Sequence, residues 1–566
     1  MLPLLPELMR SGLRLALAPL RVAWRRSWIY RRFLKGLLAD HIVFHPWDAL
    51  PRRLEEADAL LRGRFRFHGV TVEVPAGVSV FDMPAPSPAW LEALHGFDWL
   101  PSLSTAGGDN ARTLATNLIN QWVKRHQRYS EPVWSPPVMA RRLAHIFSHG
   151  RLVIANSELM WRSKLFVSLR EQSRMLERIS EEAPDGLPRL EAAAVLALSG
   201  ICLDDSPRRR ENGLKRLGEE LERQILPDGG HLSRAPEALL SAYRHVIMVM
   251  ESLSAINEEP PHGLRNAHDR MAPMLRFFRH GDGALALFNG GGESDPRMIA
   301  GLLARDDIRG QPFHHARYSG YQRLSAARTL VLMDCGKTPP GSFALDAHAG
   351  ACAFEMSSGS DRIVVNCGTG GLTHQAWNTA LRASAAHSTL ILSDTSSAHI
   401  LPAGLARDLL GPRLMGGPVE FLSRRVETAQ GWAVDAMHDA YVAQFGLRHE
   451  RQITMSPQGL MLTGRDRLVP VDARSAAGRP PGGRFYAVRF HIHPDVRVSR
   501  LEGGGILLKL PGGEGWRFRA GGGELAVEES VYLGGPVVRR SEQLVISGAT
   551  KDTPAEIAWV FEQIVA

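Results

Sequence analysis

Two histidines stand out for the company they keep. His348 lies in "LDAHAGACAFEM", residues 345–356, and His387 lies in "RASAAHSTLIL", residues 382–392. Both adjoin segments of strand character. Imidazoles at the edges of neighbouring strands can share a metal ion or a substrate, and they can equally form a buried, hydrogen-bonded pair. Asp346 precedes His348 by two residues, and Asn366 in "VVNCG" falls between the two histidines. A second group is "DGGHLSR", residues 228–234. There a Gly-Gly turn is followed by His231, a titratable group, and Arg234, whose guanidinium can hold a carboxylate bidentately. The other reading of this loop is a structural tie with Asp228 at a turn position. "HHARYSGYQRL" adds His315 and Tyr318, which either line a cleft or pack across strands. Arg382, Trp134 and the phenol of Tyr243 complete the candidates; Trp134 can stack on a ligand or sit in a core.

These residues are placed by two kinds of segment. Residues 64–83 alternate around a turn, as in a short hairpin. From about 85 to 280 apolar residues recur at helical spacing in "ARTLATNLINQWVKRH", "PPVMARRLAHIF", "LPRLEAAAVLALSGICL" and "PEALLSAYRHVIMVMESL". Beyond that, short β-rich runs alternate with Gly-Gly, Pro-Gly and Ser-Gly turns, the pattern of an antiparallel sandwich. The terminal "EIAWVFEQIV" reads as one more strand of that sheet.

Length and composition set the bounds. A chain of 566 residues with 44% hydrophobic and 22% charged residues is an ordinary globular protein of more than one domain. Cys202, Cys335, Cys352 and Cys367 are far apart and form no CxxC pair, so neither a cysteine-zinc centre nor a disulfide framework is expected. The net charge is +8, and residues 1–50 hold eight Lys or Arg against three acids. A basic balance suits a polyanion. No aromatic-basic motif accompanies it, so nucleic acid is not the expected partner. The first 38 residues are apolar with arginines throughout. They contain no apolar run long enough to span a bilayer and lack the layout of a cleavable signal peptide. They read as a basic amphipathic helix on an anionic membrane surface, or as a helix packed on its own domain.

The order and content of the segments resemble the heparinase II/III family of polysaccharide lyases. The resemblance rests on "FDWLPSLSTAGGDNARTLATNLINQWV", "EPVWSPPVMARRLAHI", "QILPDGGHLSRAPE", "RYSGYQRLSAARTLVLMDCG" and the block "AHAGACAFEMSSGSDRIVVNCGTG…RASAAHSTLIL", and it covers roughly residues 90–560. It implies an α+β multidomain fold: a basic segment and hairpin over 1–84, an (α/α) toroid over 85–285, and an antiparallel β-sandwich over 286–566. It implies β-elimination on an acidic, uronic-acid-containing polysaccharide, in a cell-envelope or periplasmic setting, with a cytoplasmic one as the alternative because the layout of a cleavable signal peptide is missing. A neutral or cationic group offsets the carboxylate, a base removes the adjacent proton, and an acid protonates the leaving oxygen. For this chemistry the candidates are His231, Arg234, Tyr243, Asp346 and His348 for catalysis, and Trp134, His315, Tyr318 and Arg382 for substrate binding. The resemblance also implies zinc, with His348 and His387 as ligands and Asn366 where relatives carry Asp. Asn366 offers a neutral oxygen in place of a carboxylate, so zinc is expected to be weak or absent. Asp346 stands where relatives carry a catalytic histidine. Two functions follow: a lyase, or an altered member that binds the polymer without cutting it.

Overall fold

The structure is a computed structural model describing residues 4–37, 39–50, 54–155, 157–306, 310–369, 375–471, 484–535, 537–550 and 554–564. The chain forms two compact units. One comprises residues 1–224, 241–269 and 301–305; the other comprises 225–240, 270–300 and 306–566.

The first unit is helical. Its helices include Pro88–His95, Gly108–Arg125, Pro136–His149, Leu159–Ile179, Leu187–Cys202 and Pro207–Gln224. Ser87 caps the first of these by accepting the Trp90 N–H at 3.2 Å, with Pro88 at the first helical position. "AAAVLALSG", residues 192–200, is buried on every side because alanine and glycine let a neighbouring helix come close. A Cβ on Gly200 would stand 2.4 Å from the Arg210 nitrogen, and one on Gly213 would stand 2.4 Å from the Ala197 nitrogen. The hairpin appears as Arg64–Phe67 paired with Val70–Glu73, turning through His68 and Gly69 at positive φ. Trp122 and Trp134 are core residues. Arg142 is fully buried; it donates to Gln172 and the His95 carbonyl, both at 2.7 Å, and its guanidinium lies 4.2 Å from the Trp122 ring.

The second unit carries two large antiparallel sheets and a two-stranded ribbon, His399–Ile400 with Leu414–Met415, among the described residues. One has eight strands, in the order 421–428, 431–438, 447–455, 461–470, 555–564, 515–521, 506–509 and 497–500. The terminal "EIAWVFEQI" therefore sits in the sheet interior, between Met461–Pro470 and Gly515–Gly521. The other sheet runs from Glu524–Tyr532 through Arg539–Thr550, Arg484–Ile492, Asp361–Val365, Phe354–Ser358, Thr329–Asp334 and Tyr321–Ala326 to His315–Ala316, with Leu390–Leu392 also pairing on Arg484–Ile492. Their inner faces share one apolar core that includes Phe354, Phe490, Phe518, Trp559 and Phe561. This is the sandwich that strand periodicity predicts. It also takes in residues 225–240 and 270–284, upstream of the boundary expected at 285. Hydrogen bonds tie that stretch to the strands: Arg323 donates to the Phe277 carbonyl at 2.6 Å, and Arg362 Nε donates to Asp282 at 2.7 Å.

The sandwich interior also holds charge. Arg451 and Asp466 are register partners on adjacent strands, and both are fully buried. Asp466 accepts from Arg451 Nε at 2.7 Å, His449 Nε2 at 2.7 Å and Trp559 Nε1 at 2.9 Å. These donors hold its carboxyl below the usual range although burial opposes ionisation. Removing one partner of such a pair leaves an uncompensated buried charge. Arg451→Met is therefore expected to destabilise the unit by about 3–5 kcal/mol. Arg467→Ala, in the outward-facing pair with Glu450, should cost under about 1 kcal/mol. Denaturant titrations of the two variants, followed by tryptophan fluorescence, compare these values.

Several buried or half-buried histidines resist protonation. Burial pushes His95, His145 and His387 down to about 3, and His126 and His491 down to about 4. In the unfolded chain they titrate near ~6.5. Between these values the unfolded state binds protons that the native state refuses. The stability they contribute is thus present above about pH 6.5 and lost as pH falls, by up to about 1.4 kcal/mol per group per pH unit. Thermal melts from pH 8 to pH 5 should show the midpoint falling mainly below about pH 6.5.

Candidate functional site

His348 and His387 do meet. His348 is buried in the loop between the turn Gly341–Ala344 and the strand Phe354–Ser358, and His387 follows the turn Ser384–Ala386. Nδ1 of His348 lies 3.1 Å from Nε2 of His387. On its other side, Nδ1 of His387 lies 3.1 Å from Oδ1 of Asn366. The orientation of Asn366 is fixed by its neighbours: Oδ1 also accepts the Ser388 N–H at 3.2 Å, while Nδ2 donates to Glu355 Oε1 at 3.0 Å. His387 therefore carries its proton on Nδ1 and presents a lone pair at Nε2, which accepts the Nδ1–H of His348. Nε2 of His348 is left as a bare, buried acceptor with no hydrogen-bond partner among the described residues. Burial, with His387 and Arg382 nearby, holds His348 well below the ordinary imidazole range.

This wiring corrects the expected ligand set. Asn366 touches the back of His387, away from the nitrogen that faces His348, so it orients an imidazole and is no third ligand. Asp346 is exposed. Two facing nitrogens without a carboxylate do not make a four-donor zinc site. Among the described residues, the group with three close metal-type donors is elsewhere: Cys352, His438 and His449 lie deep in the sandwich core. There His438 Nε2 lies 3.0 Å from His449 Nδ1, and His449 Nε2 lies 2.7 Å from Asp466, so the imidazoles satisfy one another.

The "DGGHLSR" loop belongs to the sandwich unit and acts as a tie. Asp228 accepts from the backbone N–H groups of Tyr318 at 2.8 Å and Ser319 at 2.7 Å, and from the Ser319 hydroxyl at 2.7 Å. Gly229 has φ +88°, and a Cβ there would stand 1.9 Å from the Arg270 carbonyl, so this turn requires glycine. His231 Nδ1 pairs with the Ser233 hydroxyl at 2.7 Å. Arg234 was expected to bind a substrate carboxylate from the helical side. Instead it is buried against Asp334, donates to the carbonyls of Ser319 at 2.8 Å, Lys337 at 2.9 Å and Gly320 at 3.2 Å, and lies 4.8 Å from the Tyr321 ring. A guanidinium with its donors so occupied cannot also hold a substrate. The Tyr321 hydroxyl donates to the Arg234 carbonyl at 2.7 Å, Asn289 Nδ2 donates to that hydroxyl at 2.9 Å, and Asn289 Oδ1 accepts the His348 N–H at 3.1 Å. The tie thus ends on the His348 backbone.

The remaining candidates separate by burial. Arg382 is buried and donates to the carbonyls of Ala347 at 2.8 Å, Ala344 at 3.1 Å and Pro412 at 2.5 Å, which shapes the His348 loop and leaves no fork for substrate. Tyr243 is fully buried in the helical unit, its hydroxyl 3.2 Å from His268 Nε2, so it cannot reach a solvent-exposed sugar. Trp134 is buried and donates to the His126 carbonyl at 3.1 Å, which excludes it from stacking. His315, Tyr318 and Asp346 are exposed. Sequence reasoning missed Glu355, Asn289 and Asp334. The signal for Glu355 was available: a lone carboxylate in the otherwise uncharged strand "FEMSS" must be neutralised or bonded when buried. His280 supplies one such contact, Nε2 to Oε2 at 3.1 Å.

The comparisons with known proteins bear on this arrangement. The family described as heparinase II/III-like, C-terminal matches residues 308–560. FtsZ-localized protein C of Caulobacter vibrioides is 31% identical over 520 residues, covering 91% of this chain and 89% of the relative. Among solved structures, heparinase III matches with a TM-score of 0.71 at 13% identity, covering 99% of this chain and 92% of the other. A mutant of the heparan sulfate lyase HepC from Pedobacter heparinus matches with a TM-score of 0.62 at 15% identity, covering 99% and 91%. At such identities the structures speak for the fold, a helical toroid with an antiparallel sandwich, and the sequence matches speak for descent. The chain belongs to the heparinase II/III-like family.

Proposed function

We propose that the protein is an altered lyase-fold protein of the cell envelope that binds acidic polysaccharide without cleaving it, held against an anionic membrane surface by its N-terminal helices. One observation carries the first part. The groups that elimination would call on as carboxylate partner and acid, Arg234, Arg382 and Tyr243, are buried and engaged with protein atoms. An oriented acid and a free cation are what separate a lyase from a binder of the same polymer. The exposed His315, Arg317 and Tyr318 supply a polar, aromatic surface of the kind that meets a sugar chain. The relative named FtsZ-localized protein C supports a non-catalytic role, and with it localization with FtsZ.

The membrane part rests on the first helices, Leu5–Ala16 and Ala18–Arg26, in which no side chain is buried. Leu5, Met9, Leu13, Leu17, Leu20 and Trp24 recur at steps of three or four, the spacing of one helical face, and each is 43–69% exposed. Arg10, Arg14 and Arg21 each directly follow a stripe residue. Such a stripe fits the headgroup boundary of a bilayer. From Arg25 onward the segment docks on its own unit: Arg25 pairs with Glu182, Arg26 donates to the Tyr129 carbonyl at 3.0 Å, and Tyr30 is buried. The two readings of residues 1–38 thus divide along the sequence. Among the described residues no helix is long and apolar enough to cross a membrane.

Elimination by His348 is the second reading, favoured by its bare Nε2. Incubation with a panel of uronic-acid polymers distinguishes the two. Binding without rise of the unsaturated-uronate absorbance is expected. A rise that is abolished by His348→Gln would establish the lyase instead.

Vesicle sedimentation tests the helix. Phosphatidylglycerol vesicles should carry the protein down and phosphatidylcholine vesicles should not, since each arginine near an anionic surface contributes about 1 kcal/mol. Leu13→Asp with Leu20→Asp should cut binding by more than about tenfold. Equal binding by that variant would remove the helix from the proposal.

A further inference from the structure

The sandwich core holds a second pair of facing imidazoles, and this pair has a thiol beside it. His438 and His449 are register partners on the adjacent strands Gly431–His438 and Leu447–Met455, and both are fully buried. Cys352, also fully buried, comes from the turn that leads into the strand Phe354–Ser358 of the other sheet. It adopts φ +60°, a left-handed conformation that is uncommon for a residue with a side chain. One donor atom from each of the three residues lies within 4.8 Å of the other two.

Hydrogen bonds aim these donors at one another. His449 donates its Nε2–H to Asp466 at 2.7 Å, which leaves a lone pair on Nδ1. That Nδ1 lies 3.0 Å from Nε2 of His438. His438 accepts the Ala440 N–H at Nδ1, at 3.3 Å, so the neutral ring carries its proton on Nε2, and this proton bridges the two imidazoles. The Cys352 thiol makes no hydrogen bond among the described residues, although it is wholly enclosed. A carboxylate behind an imidazole is the arrangement that orients histidine ligands in metal centres. Here Arg451 already neutralises that carboxylate.

We propose that Cys352 Sγ, His438 Nε2 and His449 Nδ1 form a site for one copper(II) ion. One thiolate with two imidazoles is the trigonal donor set that copper takes, whereas structural zinc takes four donors. The ion would replace the bridging proton: two nitrogens each about 2 Å from a metal stand about 3 Å apart, as these do. Its entry expels two protons to solvent, the one shared by the imidazoles and the one on the thiol. A divalent ion then brings no net charge into the apolar core, which is the condition for burying it there. Because the site is enclosed, the ion enters as the chain folds around it.

The full chain, produced in medium supplemented with copper and zinc and then passed over a chelating resin, tests this. Elemental analysis should find about one copper per chain, and a thiolate-to-copper charge-transfer band should appear in the visible spectrum. Cys352→Ala and His438→Gln should each abolish the band and lower retained copper by at least about tenfold. The copper-loaded chain should also melt at a higher temperature than chain produced without copper, since the ion binds the folded state alone. No retained copper, copper without the band, zinc held in its place, or copper held equally by both variants would each overturn the proposal. If the variants do not fold, the band and the melting comparison on the unaltered chain decide.

Discussion

The buried pair Arg451–Asp466 is the constraint on which the sandwich unit turns. Two charges inside an apolar core are tolerable only if every donor and lone pair finds a partner. Asp466 takes Trp559 and His449 besides its arginine. Arg451 spends its remaining reach on the carbonyls of Cys352 and Ser388, both at 2.9 Å. Those residues follow His348 and His387 in the chain. A demand for charge compensation in one sheet therefore fixes the loops that bring the histidines together in the other, and the apolar core closes around the result.

The same logic runs through the rest of the sandwich unit. Glu355 is buried with His280, the Leu287 N–H and Asn366 around it. Asn366 passes that restraint on to His387 as a neutral amide: it sets which nitrogen carries the proton but brings no charge. Arg234 and Arg382, which as exposed forks could hold carboxylates, are turned inward onto carbonyls. The exposed polar residues nearby remain free to meet solvent or polymer.

Much of the architecture is legible in the sequence because periodicity is a local property. Helical spacing up to about residue 280, turn chemistry beyond it and the final strand all appear where expected. The meeting of His348 with His387 was legible too, through motif resemblance. What was not legible is partnership at long range. Nothing near Arg234 announces Asp334, a hundred residues away, so its role could not be read locally. Asn366 occupies the aligned position of a ligand, yet only side-chain direction tells the front of an imidazole from its back. Tyr243 looks like any phenol on a helix until the packing against His268 is seen. The group of Cys352, His438 and His449 draws on segments scattered from residue 352 to 449, and no spacing rule joins them.

The N-terminal stripe has a consequence for how the molecule can be held. Its helices are not tethered by a slack linker: at Arg25, Arg26 and Tyr30 the chain is clamped to the rest of the helical unit within one turn of the stripe's end. A flexible tether lets a bound protein tumble at its anchor point. A clamped one transmits the tilt of the helix to the body it carries. A chain seated by this stripe would present one constant side of its helical unit to the bilayer and one to the surroundings. It would search for partners by gliding and by spinning about the surface normal, two translations and one rotation in place of the six motions it has in bulk.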